Sequence, residues 1–409
     1  MKKFKLPTSY KSNIIESTRQ LREKIDPRKK DISPTIIELE NIHFYIGRHF
    51  GFCYGVKNAI EICYSALKNN PHKNIYLLSE MIHNQIVNND LLEKGISFIM
   101  DTKGKQLIDW NTITSDDIVI IPAFGTSLEI IQILKEKNIN TEKFDTTCPF
   151  VSKVWNRAEL IAKKGYTIIV HGKANHEETR STFSRAQKHG ATIIVENIKD
   201  VQLLCQLMIT KDEITFQNHF KNKYSKSFDF KTDLSKIGVV NQTTMLASET
   251  KDIISLFTNT FENLYGKEYA QDHIANTRDT LCYATNENQE STISLLENNV
   301  DLAIIVGGYN SSNTTHLVEL STKKTNTFFI NSEEKISLDN SILHFDIDKG
   351  KEVLTKKFLP NRKCKVILTS GASCPDVILE EIMIKLAKIK NQPLNKNAIL
   401  DKIRLRYNN

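Results

Sequence analysis

The sequence predicts an α/β fold built from three similar units, each a small parallel sheet flanked by helices. Two observations carry this expectation. First, three lone cysteines each stand where an apolar strand pattern gives way to a helical one: Cys53 in RHFGFCYGV, Cys148 in DTTCPFVSKV and Cys282 in DTLCYATNENQ. Second, a strand ending in a polar loop follows each cysteine at nearly constant distance, His83 lying 30 residues beyond Cys53, His176 28 beyond Cys148 and Ser311 29 beyond Cys282. A further strand and loop close each unit, in IVIIPAFGTS, IGVVNQTT and VILTSGAS. Strand, helix, strand and polar loop is the grammar of parallel βαβ units, whose ligands gather beyond the carboxyl ends of the strands. Packed about a rough three-fold axis, such units would bring the three cysteines to one centre.

Taken in order, residues 1–41 read as a basic arm. Residues 1–35 hold ten Lys and Arg against four acids, which accounts for most of the formal charge of +7 on the 409-residue chain. A solvated extension is the expectation, with docking on an acidic partner as the alternative. The first unit, 42–147, opens with a strand pattern at 42–47, delivers Cys53 and continues into an amphipathic helix at 57–69. A charged turn region at 101–117 separates its strands, and Pro122 within an apolar run marks a strand end near a loop. The second unit, 148–281, is lengthened by an insertion at about 208–236, where Phe216, Phe220, Tyr224, Phe228 and Phe230 alternate with lysines. Such interleaving can stack on single-stranded nucleic acid. Aromatics packed on the domain beneath, with lysines left in water, explain it better. The third unit, 282–387, ends in an amphipathic helix at 375–387, and 388–409 is a basic, polar tail.

With 40% hydrophobic and 25% charged residues the chain is neither disordered nor fibrous. No window approaches the roughly 18 apolar residues that a membrane helix needs, and the N-terminus lacks the apolar core of a secretory signal. Glu16, Glu23, Asp26 and Asp31 argue against an organellar transit peptide, so a cytoplasmic location is expected. Seven cysteines is an odd count, which speaks against a disulfide framework and for metal or redox chemistry. Cys63 and Cys205 lie in helical apolar patterns and Cys364 precedes a strand, so these three read as structural. Cys374 has no counterpart in the other repeats and stays outside the centre.

Three cysteines and a histidine suit zinc, but structural zinc sites are usually built from closely spaced pairs, and no C-x-x-C exists here. Iron–sulfur clusters accept ligands from distant segments. A four-iron cubane on three thiolates leaves one iron open as Lewis acid and electron donor, and a helix opening after each cysteine favours its thiolate. In the loops, Ser311, Ser312, Asn313 and Ser373 suit phosphate oxygens, and His83 and His176 add donors. Helix capping explains any one serine; recurrence at equivalent positions favours the phosphate reading. Glu178, two residues after His176, is the acid suited to proton transfer, the alternative being a first-turn acid that stabilises a helix. Thr243 and Thr244 could position a substrate hydroxyl or a water. A carboxylic acid and a hydroxyl beside an open iron suggest reductive removal of a hydroxyl group.

Together, GFCYGV, MIHN, TTCP with VSKVW, HGKANHEET, NQTTML, LCYAT, GGYNSSNT and TSGASCPD, spread over about residues 44–386, make the chain resemble the 4-hydroxy-3-methylbut-2-enyl diphosphate reductase (LytB) family. The resemblance implies one 4Fe–4S cluster per chain, with Cys53, Cys148 and Cys282 as metal ligands and three similar α/β domains around it. It implies a diphosphate substrate bound by His83, His176, Ser311, Ser312, Asn313 and Ser373, with Glu178 as proton donor and Thr243 beside it. Two electrons from ferredoxin or flavodoxin and two protons would expel water, yielding isopentenyl and dimethylallyl diphosphates in the last step of the methylerythritol phosphate route to isoprenoids. A large branch of the family carries histidine where this chain has Phe124. The branch resembling plant and cyanobacterial enzymes has phenylalanine there and shares the insertion, which implies a variant pocket with Thr126 or Ser127 supplying the lost contact. The rival readings are a quinolinate-synthase-like iron–sulfur dehydratase, against which the HGKANHEET and NSSN loops argue, and a non-catalytic iron–sulfur sensor, which has no use for Glu178.

Overall fold

A computed structural model describes residues 4–276 and 280–407. The first three residues of the arm, Asp279 of the DTLC motif and the last two residues of the tail lie outside the described residues. The chain opens with helix α1 (Asn13–Ile25) and strands β1 (Thr35–Glu38) and β2 (Ile42–Ile46), followed by α2 (Tyr54–Asn69). Next come β3 (Ile75–Leu77), α3 (Gln85–Glu93), β4 (Ile96–Phe98), β5 (Ile118–Ile120) and α4 (Leu128–Glu136). The middle of the chain forms α5 (Pro149–Lys163), β6 (Thr167–His171), α6 (Glu177–Ala186), β7 (Thr192–Val195), α7 (Ile198–Thr210), α8 (Glu213–His219), β8 (Ile237–Asn241) and α9 (Ala247–Tyr265). The last part holds α10 (Tyr283–Leu296), β9 (Leu302–Val306), α11 (Ser312–Thr322), β10 (Thr327–Ile330), β11 (Ile336–Ser337), β12 (Ser341–Asp346), β13 (Lys351–Lys356), β14 (Cys364–Ser370), α12 (Asp376–Ile389) and α13 (Lys396–Tyr407). No described helix is long and apolar enough to cross a membrane.

The expected α/β fold with small parallel sheets is present, and the internal repeat shows in the strand order. One sheet runs β4-β3-β5, a second β7-β6-β8, and the core of a third β10-β9-β14, every neighbouring pair parallel. Each is a second-first-third order of its own repeat. The third sheet is extended by β2, parallel to β14 with Ile42 opposite Cys364, and by β1, antiparallel to β2. The β2 segment heads the first stretch in sequence, yet it completes the sheet of the third. The compact units accordingly cut across chain order: one comprises Met1–Glu61, Ile82–Asn89 and Tyr283–Asn409, the other Ile62–Met81 and Asp90–Cys282. The boundary expected at 147 falls inside the second of these. Long-range strand pairing decides membership, because a strand buried on both faces must complete its hydrogen bonds wherever a partner edge lies.

The arm departs from the expected solvated extension. Ser12 caps α1, its Oγ accepting from the Ile15 N–H, and Ile14, Ile15, Thr18 and Arg22 form a buried stripe at helical spacing. Ile14 and Ile15 join the core made by Phe44, Ile46, Val366, Leu368, Ile378 and Ile382. Arg22 is only 2% exposed, and its guanidinium pairs with Asp31 at 2.8 Å and donates to the Ser33 carbonyl at 3.2 Å. The tail also belongs to the fold, since α13 buries Ile399 and Ile403 and packs on α1 and β1.

The insertion starts later than expected, because α7 continues to Thr210 and ends at Lys211 in a left-handed conformation. Phe216, Phe220 and Phe230 are buried, with the Phe216 and Phe230 rings stacked at 4.6 Å, whereas Lys221, Lys226 and Lys231 are exposed. Aromatics already packed in the core offer no face to a base, and the expected packing accounts for the pattern.

If the arm is core and not appendage, Ile15→Ala removes buried methylenes and lowers unfolding free energy by about 2–5 kcal/mol. Chemical denaturation of the full chain measures this; a change below about 0.5 kcal/mol, as for a surface site, would return the arm to solvent.

Candidate active site

Each of the three repeated cysteines directly precedes a helix, α2, α5 or α10. Each also makes the same backbone bond. The Cys53 N–H donates to the Ala372 carbonyl at 3.1 Å, just past β14; that of Cys148 to Ala123 at 3.0 Å, just past β5; and that of Cys282 to Thr243 at 3.1 Å, just past β8. These three cysteines are partly exposed while Cys63, Cys205, Cys364 and Cys374 are buried. Burial drives the thiols of Cys63 and Cys374 far upward and that of Cys205 to about 11, which makes them inert. Burial also raises the Cys53 thiol, opposed by the N–H groups of Val56 and Gly55 and by the Lys57 charge.

In the compact unit that includes residues 283–409 the structure brings together His83, the Ser311–Asn313 turn and Ser373. The Ser373 hydroxyl donates to the His83 carbonyl at 3.2 Å, and Asn313 Oδ1 accepts from the Ala372 N–H at 2.9 Å. The loop after β14 therefore holds Cys53 through the Ala372 carbonyl and Asn313 through the neighbouring N–H. Glycine is required for this approach: a Cβ on Gly308 would strike the His83 carbonyl oxygen, and one on Gly371 would strike Thr314 Oγ1. Ser311 does cap α11, its Oγ accepting from the Thr314 N–H at 3.3 Å, and Ser312 and Asn313 fill the first turn beside it. Asn288, which sequence reasoning missed, donates to Asn313 Oδ1 at 3.3 Å. Its signal was the polar character of α10, which buries Asn288, Gln289, Ser291 and Thr292 where an ordinary helix would bury aliphatic residues.

In the second unit His176 caps α6, its Nδ1 accepting from the Glu178 N–H at 3.1 Å, which assigns the neutral ring's proton to Nε2. Glu178 is 1% exposed and faces Thr243 with both oxygens: Oε1 accepts from the Thr243 N–H at 2.5 Å and Oε2 from its hydroxyl at 2.9 Å. Thr244 is engaged elsewhere, accepting from Gln242 Nε2 at 2.7 Å. The Phe124 ring meets His176 edge-on, centroids 5.4 Å apart. Ser127 is taken up capping α4, and the Thr126 carbonyl accepts from Arg185 at 3.4 Å. Gly125, at φ 71°, lies so close to the Trp155 ring that a Cβ would come within 2.6 Å.

The sequence pattern of the LytB protein family matches residues 45–387. The chain belongs to the LytB family. Proteins named 4-hydroxy-3-methylbut-2-enyl diphosphate reductase from Crocosphaera subtropica and Gloeothece citriformis are 38% and 40% identical to it over 388 and 386 residues, in each case 94% of this chain and 91% of the relative. Among solved structures, E-1-hydroxy-2-methyl-but-2-enyl-4-diphosphate reductase from Plasmodium falciparum is similar at a TM-score of 0.62 and 26% identity, over 90% of this chain and 99% of that one. A second, (E)-4-hydroxy-3-methyl-but-2-enyl diphosphate reductase, described as the terminal enzyme of the non-mevalonate pathway, matches at 0.51 and 26%, over 84% and 98%. The β4-β3-β5 and β7-β6-β8 sheets and their polar loops thus stand in a LytB chain.

Replacing Asn313 with alanine strands the Ala372 N–H in a buried loop and costs about 1–3 kcal/mol. Urea denaturation of Asn313→Ala against Asn313→Asp separates loss of the acceptor from loss of the amide: the aspartate variant, which keeps an acceptor oxygen, should lose less.

Proposed function

We infer that this chain removes the hydroxyl group of (E)-4-hydroxy-3-methylbut-2-enyl diphosphate reductively, forming isopentenyl and dimethylallyl diphosphates. Family membership supports the reaction. The observation that carries its assignment to residues is Thr243, whose N–H and hydroxyl both bind the Glu178 carboxylate while its carbonyl holds the backbone of Cys282.

The cysteines fit a 4Fe–4S cluster. Cys53, Cys148 and Cys282 are the three that repeat, each at a helix N-terminus that favours a thiolate and each partly exposed, while the remaining four are buried. When bound, the cluster supplies electrons and a Lewis-acidic iron. The protein supplies protons and orientation. Glu178 holds a proton on Oε2, and the Thr243 hydroxyl turns from donating to the carboxylate to accepting from the acid, passing its own proton to the departing hydroxyl. Burial of both groups keeps bulk water from this exchange. His83, His176, Ser311, Ser312, Asn313 and Ser373 bind the diphosphate: His176 through Nε2, since its Nδ1 serves the cap, and Ser311 through its hydroxyl proton, since its Oγ accepts in its own. Two electrons and two protons balance the loss of water, and a one-electron carrier of the ferredoxin or flavodoxin type delivers the electrons. Phe124 gives the site an apolar wall against His176, in keeping with a variant pocket. An odd count of seven cysteines suits a reducing compartment such as the cytoplasm.

Anaerobic purification should yield about four irons per chain and turnover of the hydroxymethylbutenyl diphosphate with a reduced viologen. Glu178→Gln is expected to lower kcat by about 10²–10⁴-fold with iron content unchanged, and Cys→Ser at 53, 148 or 282 to lower the iron itself. Undiminished turnover in Glu178→Gln would remove that residue from the proton route; zinc in place of iron would remove the reading of the cysteines.

A further inference from the structure

Cys53 stands between Gly51, at φ 75°, and the first turn of α2, with its own N–H held by the Ala372 carbonyl. The N-terminal arm adds contacts to the side chains around it, all within one compact unit. Tyr10 packs edge-on against Phe52, centroids 5.9 Å apart, and Phe4 packs edge-on against Tyr54 at 5.1 Å. The two neighbours of the cysteine are thus each met by an aromatic ring of the arm. Arg19 adds a third hold: its guanidinium lies 4.9 Å over the Phe50 ring and pairs with both oxygens of Asp376, at 2.6 and 3.0 Å. Asp376 opens α12 immediately after the SGASCP turn. Gly51, at φ 75°, leaves room for this carboxylate, since a Cβ there would strike Asp376 Oδ1. Phe4, Arg19 and Lys29 also line a cleft of about 260 Å³ that reaches Cys53 and Lys57. The arm is one wall of the opening to that thiol.

We propose that the arm clamps the Cys53 loop, with Phe4, Tyr10 and Arg19 as positioning residues that fix the presentation of the thiol and limit the access of small reagents to it. The consequence for cluster retention rests on the reading of Cys53 as a cluster ligand; the clamp itself does not. A loop released by its aromatic cover opens locally while the sheet beneath it persists.

The test uses the full-length chain carrying Phe4→Ala with Tyr10→Ala, and separately Arg19→Gln on the opposite edge of the loop. In metal-free protein, alkylation by N-ethylmaleimide is followed at each cysteine by peptide mass spectrometry. In anaerobically reconstituted protein, iron release to bathophenanthroline disulfonate is timed. The Cys53 rate is expected to rise about tenfold with Cys148 and Cys282 unchanged, iron release to quicken, and Tyr10→Phe to keep wild-type values. An unchanged Cys53 rate in both variants overturns the clamp, as does a parallel rise at all three cysteines, which would report general loosening. Failure of the wild-type chain to take up iron would sink the cluster reading alone, and the alkylation ratio would then decide the clamp by itself.

Discussion

One backbone hydrogen bond, made three times, organises this protein: the N–H of a cysteine donates to the carbonyl just past the end of a strand. A residue that leads into a helix has no intrahelical partner for its own N–H, so something outside the helix must satisfy it. Here the partner is always the loop after the third strand of a second-first-third sheet. The bond ties the start of a helix to the carboxyl end of a strand, where positive helix ends and polar loops favour thiolates and anions.

The same loops carry more than the anchors. Thr243 joins the acceptor for Cys282 to the donors for Glu178, and the Ala372 peptide joins the acceptor for Cys53 to the donor for Asn313. These two loops therefore couple the position of a cysteine to the position of a polar side chain through one or two residues of backbone. Glycines 308 and 371 belong to this design for a steric reason, since any side chain would push the approaching loops apart. A polar helix, α10, supplies the next layer, trading aliphatic packing for Asn288 and its neighbours, which can satisfy buried hydrogen-bonding groups.

Composition misled in the arm and left two readings open in the insertion. The arm is so basic that its average reads as solvent-exposed, but burial depends on the face of a helix and not on its mean, and Ile14, Ile15, Thr18 and the long stem of Arg22 make a face. The insertion alternates aromatics with lysines in a pattern that nucleic-acid binding would also produce. Only the three-dimensional stacking of Phe216 with Phe220, Phe228 and Phe230 shows that the rings face one another.

By itself the sequence determined the α/β class, the three-fold recurrence of strand, cysteine and helix, and the family, because each is written in local periodicity and in side chains whose chemistry does not depend on neighbours. It also marked His83, His176, Glu178, Thr243, Ser311, Ser312, Asn313 and Ser373 as one class of polar strand-end residues. Tertiary structure alone decided that β2 completes the sheet of β14, that Glu178 meets Thr243 with both oxygens, and that the arm packs on Phe52 and Tyr54. These pairings join residues tens to hundreds of positions apart. A hydrogen bond or a ring contact is a relation between two places, and local pattern specifies only one of them at a time.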